Sequence, residues 1–366
     1  MTGLLGAGRG SNFVGFMGSE DLGGGWKANF KLEAGYFLDN GTGAASNTNN
    51  QSNGGFTTQS GGSTTATINS ATGAVTTQDR ASMGGGQGLT FNRWSYAGLS
   101  NAAIGEFRVG REYTPTFQAV LAADTTGANG VQNTLFQTLM LGQANSHANA
   151  TSASNGISYE SPRMSGFGVK VQAFFGENTQ PVANANLMTG KSGDGSSYHA
   201  SYVQGPISAG FGAQTTKGTN IAASAGVGQI PGKYDVSTAY GRYDFGFAIA
   251  ALAQVTEKMA LSTGANENKS TVLGLRVPMG ATTLNATYTN SKLTVAGTEA
   301  GKATQIGLQA LYAMSKRTDL YVNYAVTDNG NNSKTYGIGN GAGRVVAVAN
   351  NGDKSTGIQI GMRHNF

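Results

Sequence analysis

The residues of this sequence that could do chemistry are charged side chains at every second position of short apolar segments. In residues 26–37, Lys27, Lys31 and Glu33 alternate with aromatic and aliphatic residues. Charges with this spacing lie on one face of a β-strand, since strand side chains point alternately to its two sides. Such a face can attract ions and orient dipolar solutes by its fixed charge.

Catalysis and cofactor binding find little support in the residue types. The three histidines, His147, His199 and His364, lie far apart, without an HExxH motif and without any cysteine. The glycine-rich start, GAGRGS, neither follows a strand pattern nor opens a helix, as a dinucleotide-binding fingerprint would. Lysine and arginine are scattered rather than clustered, which argues against nucleic-acid binding. We expect no enzyme, no metal, no cofactor and no nucleic-acid partner.

The composition excludes several classes of protein. The chain has 366 residues with 57 Gly, 6 Pro, no Cys, 12% charged residues and a net charge of +5. Glycine without a three-residue period excludes collagen, and the absence of cysteine excludes a disulfide framework. The 16 Phe and 14 Tyr argue against disorder. No apolar run approaches the roughly 18 residues of a membrane-spanning helix.

Alternation of apolar and polar residues recurs along the whole chain and predicts an all-β protein. A strong example is the segment in which Leu284, Ala286 and Tyr288 alternate with asparagine and threonine. The candidate strands number fifteen: 11–18, 26–38, 89–99, 105–113, 155–162, 166–176, 197–205, 206–215, 233–243, 245–256, 269–278, 281–290, 303–314, 319–327 and 355–366.

The connections between these strands are alternately short and long. The short ones, such as Asp21–Gly25 and Ser315–Thr318, are turn-like. The long polar segments are Asp39–Gly88, Thr114–Asn155, Glu177–Ser197, Lys217–Lys233, Glu257–Lys269, Asn290–Thr304 and Thr327–Ser355. A meander with turns at one end and long loops at the other is typical of an outer-membrane β-barrel. We therefore predict one domain, residues 1–366, folded as a transmembrane antiparallel β-barrel.

The energetics of the bilayer decide which face of the strands points inward. A strand of about 10 residues, tilted by about 45°, covers about 23 Å, close to the apolar band of such a barrel. A lysine turned to lipid at mid-bilayer costs about 2 to 4 kcal/mol. The charged face with Lys27 and Lys31 must therefore line the interior.

Several segments resemble a known family, the trimeric general porins of β-proteobacterial outer membranes, which are sixteen-stranded diffusion channels. The matching segments lie in the family's order along the chain: GSEDLGGGWKANFKLEAGYF (18–37), RWSYAGLS (93–100), GEFRVGREYTP (105–115), ISYESP (157–162), SKRTDLYVNY (315–324) and GIQIGMRHNF (357–366). The resemblance implies a homotrimer in the outer membrane of a Gram-negative bacterium. It also implies passive passage of small hydrophilic solutes and inorganic anions.

The resemblance also implies where solutes are selected. The third long loop, residues 114–155, would fold into the lumen and narrow it, with Asp124 as its one acid. Opposite this loop, the resemblance places Arg93 and Arg111, and strand alternation adds Lys27, Lys31, Glu33 and Arg108 as pore-lining residues. Alternation from Phe107 and Val109 instead points Arg111 outward, so the two arguments differ there. Fixed cations facing one acid predict a transverse field in the passage.

The sequence departs from the family pattern at three places. Family members begin with a signal peptide and a first strand, which this sequence lacks, so we expect fifteen of sixteen strands and a truncated start. Phe13 and Ser152 occupy positions where the family often has a wall arginine. We therefore expect only a weak to moderate preference for anions.

The C-terminal residue is the last candidate functional residue, and two alternative interpretations of the whole chain remain open. By resemblance, Phe366 and the alternating run before it would be the insertion signal read by the barrel-assembly machinery. One alternative is a plugged outer-membrane barrel acting as a surface receptor or adhesin. The other, a soluble β-solenoid, should show a fixed repeat of about 20 to 50 residues, and no such repeat is found.

Overall fold

The computed structural model describes residues 9–38, 41–43, 90–144, 149–176, 193–218, 232–261, 264–330, 333–339 and 348–366. Its strands are β1 Phe13–Gly23, β2 Trp26–Gly35, β3 Trp94–Asn101, β4 Gly105–Tyr113, β5 Ser152–Glu160, β6 Phe167–Phe174, β7 Gly195–Gln204, β8 Ile207–Lys217, β9 Lys233–Asp244, β10 Ile249–Leu261, β11 Gly264–Met279, β12 Thr282–Val295, β13 Thr298–Ala313, β14 Thr318–Asn329 and β15 Lys354–His364. Its helices are α1 Pro115–Ala123, α2 Leu135–Thr138 and α3 Met140–Ala144.

The fifteen strands form one antiparallel sheet in which each strand pairs with the next in the chain. The predicted all-β meander of fifteen strands is confirmed. In the described part of the chain, β1 and β15 are the two edges of this sheet. None of the described helices is long and apolar enough to cross a membrane.

The sheet curls so that its two ends approach each other. Arg9, which precedes β1, forms an ion pair with Asp319 of β14 at 3.4 Å, and Arg363 of β15 contacts the same carboxylate at 3.2 Å. The helices α1 and α2, which follow β4, contact the inner face of strands as far apart as β6 and β12. Two short helices can contact this many successive strands because the sheet curves around them.

The two faces of the sheet differ as the alternation predicts. On β12, Leu284 and Tyr288 are 43% and 42% exposed on the outer face, whereas Asn285, Thr287 and Thr289 are buried on the inner face. Outward apolar side chains suit hydrocarbon, and the inner polar residues are covered by residues 114–151 or by each other.

Two of the predicted long loops are wrong, because strands occupy them. Residues 257–269 contain the end of β10 and the start of β11. Residues 290–304 contain the end of β12 and the start of β13. The second pair is joined by Ala296 and Gly297 alone, with φ of 47° and 85°, which is a tight hairpin turn. Beyond the bilayer both faces of a strand are polar, so the alternation that predicts a strand disappears there.

Smaller differences concern the strand ends and the remaining loops. The predicted turn at 21–25 is shorter, because β1 continues to Gly23. Most of the predicted loops 39–88, 177–197 and 217–233 lie outside the described residues, as does His147.

Candidate functional site: the inner wall and the inward loop

Residues 114–151, called here the inward loop, begin with a well-capped helix. The Thr114 hydroxyl accepts a hydrogen bond from the Phe117 amide at 3.2 Å, and Pro115 occupies the first turn of α1. A threonine cap followed by proline favours a helix start, because the threonine hydroxyl accepts from an otherwise unpaired first-turn amide and proline has no amide hydrogen to pair. From there α1 packs on the inner face of β6 to β10, mainly on β7 to β9, and α2 packs on β10 to β12.

Glycines on the wall make room for the inward loop. A Cβ added at Gly274 of β11 would lie 2.7 Å from Thr125, and one at Gly307 of β13 would lie 2.9 Å from the Gln132 Cβ. On β8, a Cβ at Gly212 would lie 2.9 Å from the Ala119 Cβ. Contacts this short are not found for real side chains. These strand positions therefore need glycine for the loop to lie flat on the wall.

The Glu257 carboxylate fastens the far end of the inward loop. It accepts hydrogen bonds from the backbone amides of Leu141 at 3.1 Å and Gly142 at 2.8 Å. On the wall, the Tyr234 hydroxyl donates to it at 2.8 Å and the Asn268 side-chain amide at 3.0 Å. Glu257 is fully buried. A buried carboxylate with four donors is well satisfied, so it holds the loop to β9, β10 and β11.

The Asn268 side chain extends this attachment to a second loop. Its amide also donates to the Gln137 carbonyl at 2.7 Å, and its carbonyl accepts from the Tyr336 hydroxyl at 2.9 Å. Tyr336 lies between β14 and β15, and burial raises the pKa of its phenol well above the ordinary value. The neutral hydroxyl therefore remains a hydrogen-bond donor across the ordinary pH range.

On the inner wall of β2 to β6, called here the first arc, most of the charged side chains form ion pairs. Glu33 forms ion pairs with Arg93 and, at 3.0 Å, with Lys31. The Lys31 ammonium also lies 4.5 Å from the ring centre of Trp94. Two of the predicted pore-lining cations therefore share the predicted acid.

Further along the first arc, Arg108 is surrounded by carboxylates. It pairs with Glu106, with Glu112 at 3.4 Å and with Glu160 at 3.0 Å. Glu112 also accepts from the Lys170 ammonium at 2.6 Å. Glu112 and Lys170 are both buried, and their contact is the shortest ion pair that either of them makes.

Arg111 lies apart from this group. Its guanidinium donates to the Asn92 carbonyl at 2.6 Å and to the Ser154 hydroxyl at 2.7 Å. The register places it opposite Ser95, whereas Arg108 is opposite Gly98. Residues 108 and 111 thus have opposite strand parity, and the pairing with β5 shifts register between Gly110 and Glu112.

The inner wall of β9 to β15, called here the second arc, carries two arginines of a different kind in addition to Arg363, which pairs with Asp319. Among the described residues, Arg242 of β9 and Arg276 of β11 form no ion pair. The Arg242 guanidinium donates to the Ala122 carbonyl of α1 at 3.0 Å. Arg276 is two residues from Gly274, on the side of the short β11–β12 turn. Arg242 therefore contacts the inward loop, and Arg276 occupies the next inward-facing position after Gly274, which faces Thr125.

Asp124 ends α1 close to the second arc. It accepts hydrogen bonds from the backbone amide and hydroxyl of Thr126, both at 2.8 Å. Burial raises the pKa of the Asp124 carboxyl, while the Thr126 bonds and the positive charge of Arg242 act in the opposite direction. The structure thus brings Asp124 to Arg242 rather than to the first-arc cations.

The remaining predicted site residues are Lys27 and Phe366. Lys27 is opposite Asp21 near the β1–β2 turn. Phe366 is fully exposed and contacts only the His364 ring among the described aromatic residues, at 4.8 Å between ring centres. Sequence reasoning missed Glu112, Glu257 and the second-arc arginines, although Arg276 lies on the polar face of an alternating strand. Among the described residues, no group of acids and histidines could hold a metal ion.

Comparisons with known proteins agree with one another. The family profile described as Gram-negative porin matches residues 2–332. The outer membrane porin protein 32 of Delftia acidovorans is 29% identical over 373 residues, covering 100% of this chain and 87% of that protein.

Solved structures add the fold. The anion-selective porin from Comamonas acidovorans has a TM-score of 0.75 and 28% identity, covering 100% of this chain and 92% of its own. The OmpT outer membrane protein of Vibrio cholerae has a TM-score of 0.57 at 15% identity, covering 98% and 90%, and shows the fold alone.

Proposed function

The chain belongs to the family of Gram-negative porins, and we propose that, as a general diffusion channel, it has a weak to moderate preference for anions. It is a multi-pass β-barrel of the outer membrane, and its family comprises passive channels rather than enzymes. The receptor or adhesin alternative is not favoured by these relatives.

We place the constriction between the inward loop and the first arc. The support is that α1 and α2 pack mainly on β7 to β12, which leaves most of the first arc as the opposite side of the lumen. The predicted pore-lining residues Lys27, Lys31, Glu33, Arg93 and Arg108 would then border the passage. Asp124 would lie on the loop side.

The anion preference rests on which charges are paired. A carboxylate and an ammonium in contact form a dipole, whose field decays faster with distance than that of a single charge. The first arc therefore contributes mainly local dipoles. The unpaired Arg242 and Arg276 contribute net positive potential, which raises the local concentration of anions in a narrow passage.

A similar protein and the net charge of the chain also support this proposal. The Comamonas porin is described as anion-selective, and this chain carries a net charge of +5. A homotrimeric assembly, contact with outer-membrane lipids and insertion through the C-terminal Phe366 remain proposals taken from the resemblance.

The reversal potential of single channels in a planar bilayer tests the proposal. With a tenfold KCl gradient, we expect a reversal potential whose sign shows greater permeability to chloride than to potassium. A potential near the potassium equilibrium value would overturn the anion preference. Absence of conductance in correctly inserted protein would instead favour the plugged barrel.

A further inference from the structure

Three lysines stand side by side on the outer surface of the barrel. Lys269 of β11 is directly opposite Lys292 of β12, and Lys292 is directly opposite Lys302 of β13. Their side chains are 56%, 48% and 58% exposed. Like charges directly opposite each other destabilise a sheet. An anionic partner would therefore stabilise a row of three such lysines.

The row lies at the outer edge of the apolar surface. Four residues nearer the short turns, the same strands carry Leu273, Tyr288 and Ile306 on the same face, all more than two-fifths exposed. Between the two rows lies a polar row of Thr271, Asn290 and Thr304. Outward residues thus change from apolar to polar to basic along three neighbouring strands.

The height of the row matches a lipid headgroup region. Lys302 is ten residues from Tyr312, which is 52% exposed at the opposite end of the apolar surface. At about 3.3 Å per residue and about 45° tilt, this separation is about 23 Å along the membrane normal. The apolar band of such barrels is about 25 Å tall, so the ammonium groups extend into the interface. The long connections of the barrel are at this end, which makes it the external one.

The acids near the row do not neutralise it. Glu299 is shared, with Lys292 at 2.8 Å and Lys302 at 3.0 Å, while Glu267 pairs with Lys269 at 2.7 Å. One carboxylate thus serves two ammonium groups. Lys258 of β10, directly opposite Glu267, adds another positive charge on the same face.

We propose that this lysine row, residues 269, 292 and 302, binds the phosphorylated headgroup of an outer-leaflet lipid. Phosphate groups would supply the negative charge that the shared Glu299 does not, and lysine is a common phosphate ligand. The acyl chains of the same lipid would lie on Leu273 and Ile306. The acyl chains and the phosphates of one lipid would thus lie at the heights of the apolar residues and of the lysines, respectively.

Binding of purified protein in a zwitterionic detergent to bisphosphorylated lipid A tests the proposal. The variant K269Q/K292Q/K302Q removes the charges, and K269R/K292R/K302R retains them. We expect the glutamine variant to bind at least tenfold more weakly and the arginine variant to bind within about threefold of the wild type, as a tenfold change corresponds to about 1.4 kcal/mol. Heat-modifiable migration on a gel confirms that each variant retains its barrel.

Two further probes identify the source of the phosphate. Dephosphorylated lipid A should bind as weakly to the wild type as lipid A binds to the glutamine variant, and inorganic phosphate at equal phosphorus concentration should not compete. Equal affinity of all three proteins for lipid A would overturn the proposal. Full competition by inorganic phosphate would overturn the assignment to a lipid. Loss of binding in both triple variants would show that lysine geometry, not charge at this row, controls the effect, contrary to the proposal.

Discussion

The two arcs of the inner wall carry similar residue types but arrange them differently. On the first arc Arg93 and Arg108 contact acids that lie on their own or neighbouring strands. On the second arc Arg363 also pairs with an acid, but Arg242 contacts a backbone carbonyl and Arg276 contacts no acid among the described residues. The first arc borders the proposed passage, whereas the inward loop packs mainly on β7 to β12, which include the beginning of the second arc.

The difference teaches that the number of basic residues does not determine selectivity. A paired arginine stabilises its neighbours and gives the passage a local transverse field, whereas an unpaired one changes the net potential. The first arc is therefore expected to orient solutes. The second is expected to set the sign of the ion preference.

The largest effect is expected from the unpaired arginines. The variant R242Q/R276Q should lose most of the anion preference, because two positive charges that form no ion pair disappear from the inner wall. The paired removal E33Q/R93Q should leave the reversal potential almost unchanged, because the net charge is the same. Single-channel reversal potentials in a KCl gradient measure both. If the paired removal has the larger effect, the contrast between the arcs is wrong.

The next effect concerns the stability of the first arc. Glu112→Gln should lower the free energy of unfolding by about 3 kcal/mol, because it leaves the buried Lys170 ammonium without its closest carboxylate. Glu160→Gln, at a side chain that is 47% exposed, should cost less than about 1 kcal/mol. Urea unfolding in lipid vesicles, followed by tryptophan fluorescence, compares the two. Equal losses would show that burial of Glu112 is unimportant.

The packing of the loop on the second arc can be disturbed without changing charge. Gly307→Val should displace the inward loop, because the new side chain overlaps Gln132. Single-channel conductance should change and fluctuate more. Gly241→Val serves as the control, since a Cβ there meets nothing within 4 Å. Unchanged conductance in Gly307→Val would mean that the loop is not held by this contact.

The smallest effect is expected from pH. Burial raises the pKa of Asp124 above its ordinary value of 3.8. As pH falls through this raised value, Asp124 loses its negative charge beside Arg242, so the anion preference should increase. This increase should occur at a higher pH than the titration of an exposed aspartate. Asp124→Asn should show the greater preference at neutral pH and lack this step. A step of the same size in Asp124→Asn would assign the titration to another group.

Much of the barrel could be predicted from local alternation. Lys27, Lys31 and Glu33 appear in the sequence as one face, and the structure has them in one strand beside apolar outward residues. The hairpins at 257–269 and 290–304 could not be predicted, since strands that project beyond the lipid lose the apolar half of their pattern. Arg111 was ambiguous because the register shifts next to it.

The partners of the charged residues could not be predicted from the sequence. Glu112 and Lys170 are 58 positions apart, and Glu257 is 115 positions from Gly142. Only the register of neighbouring strands and the path of the inward loop make them neighbours. The wall glycines likewise gain their meaning only from the loop that covers them.

The sequence by itself determined that strands alternate between lipid and water, because the cost of exposing charge to hydrocarbon acts on every residue separately. The tertiary structure alone decided which cations are neutralised and which are not. Pairing depends on distances of a few ångströms between strands, and curvature and register set those distances.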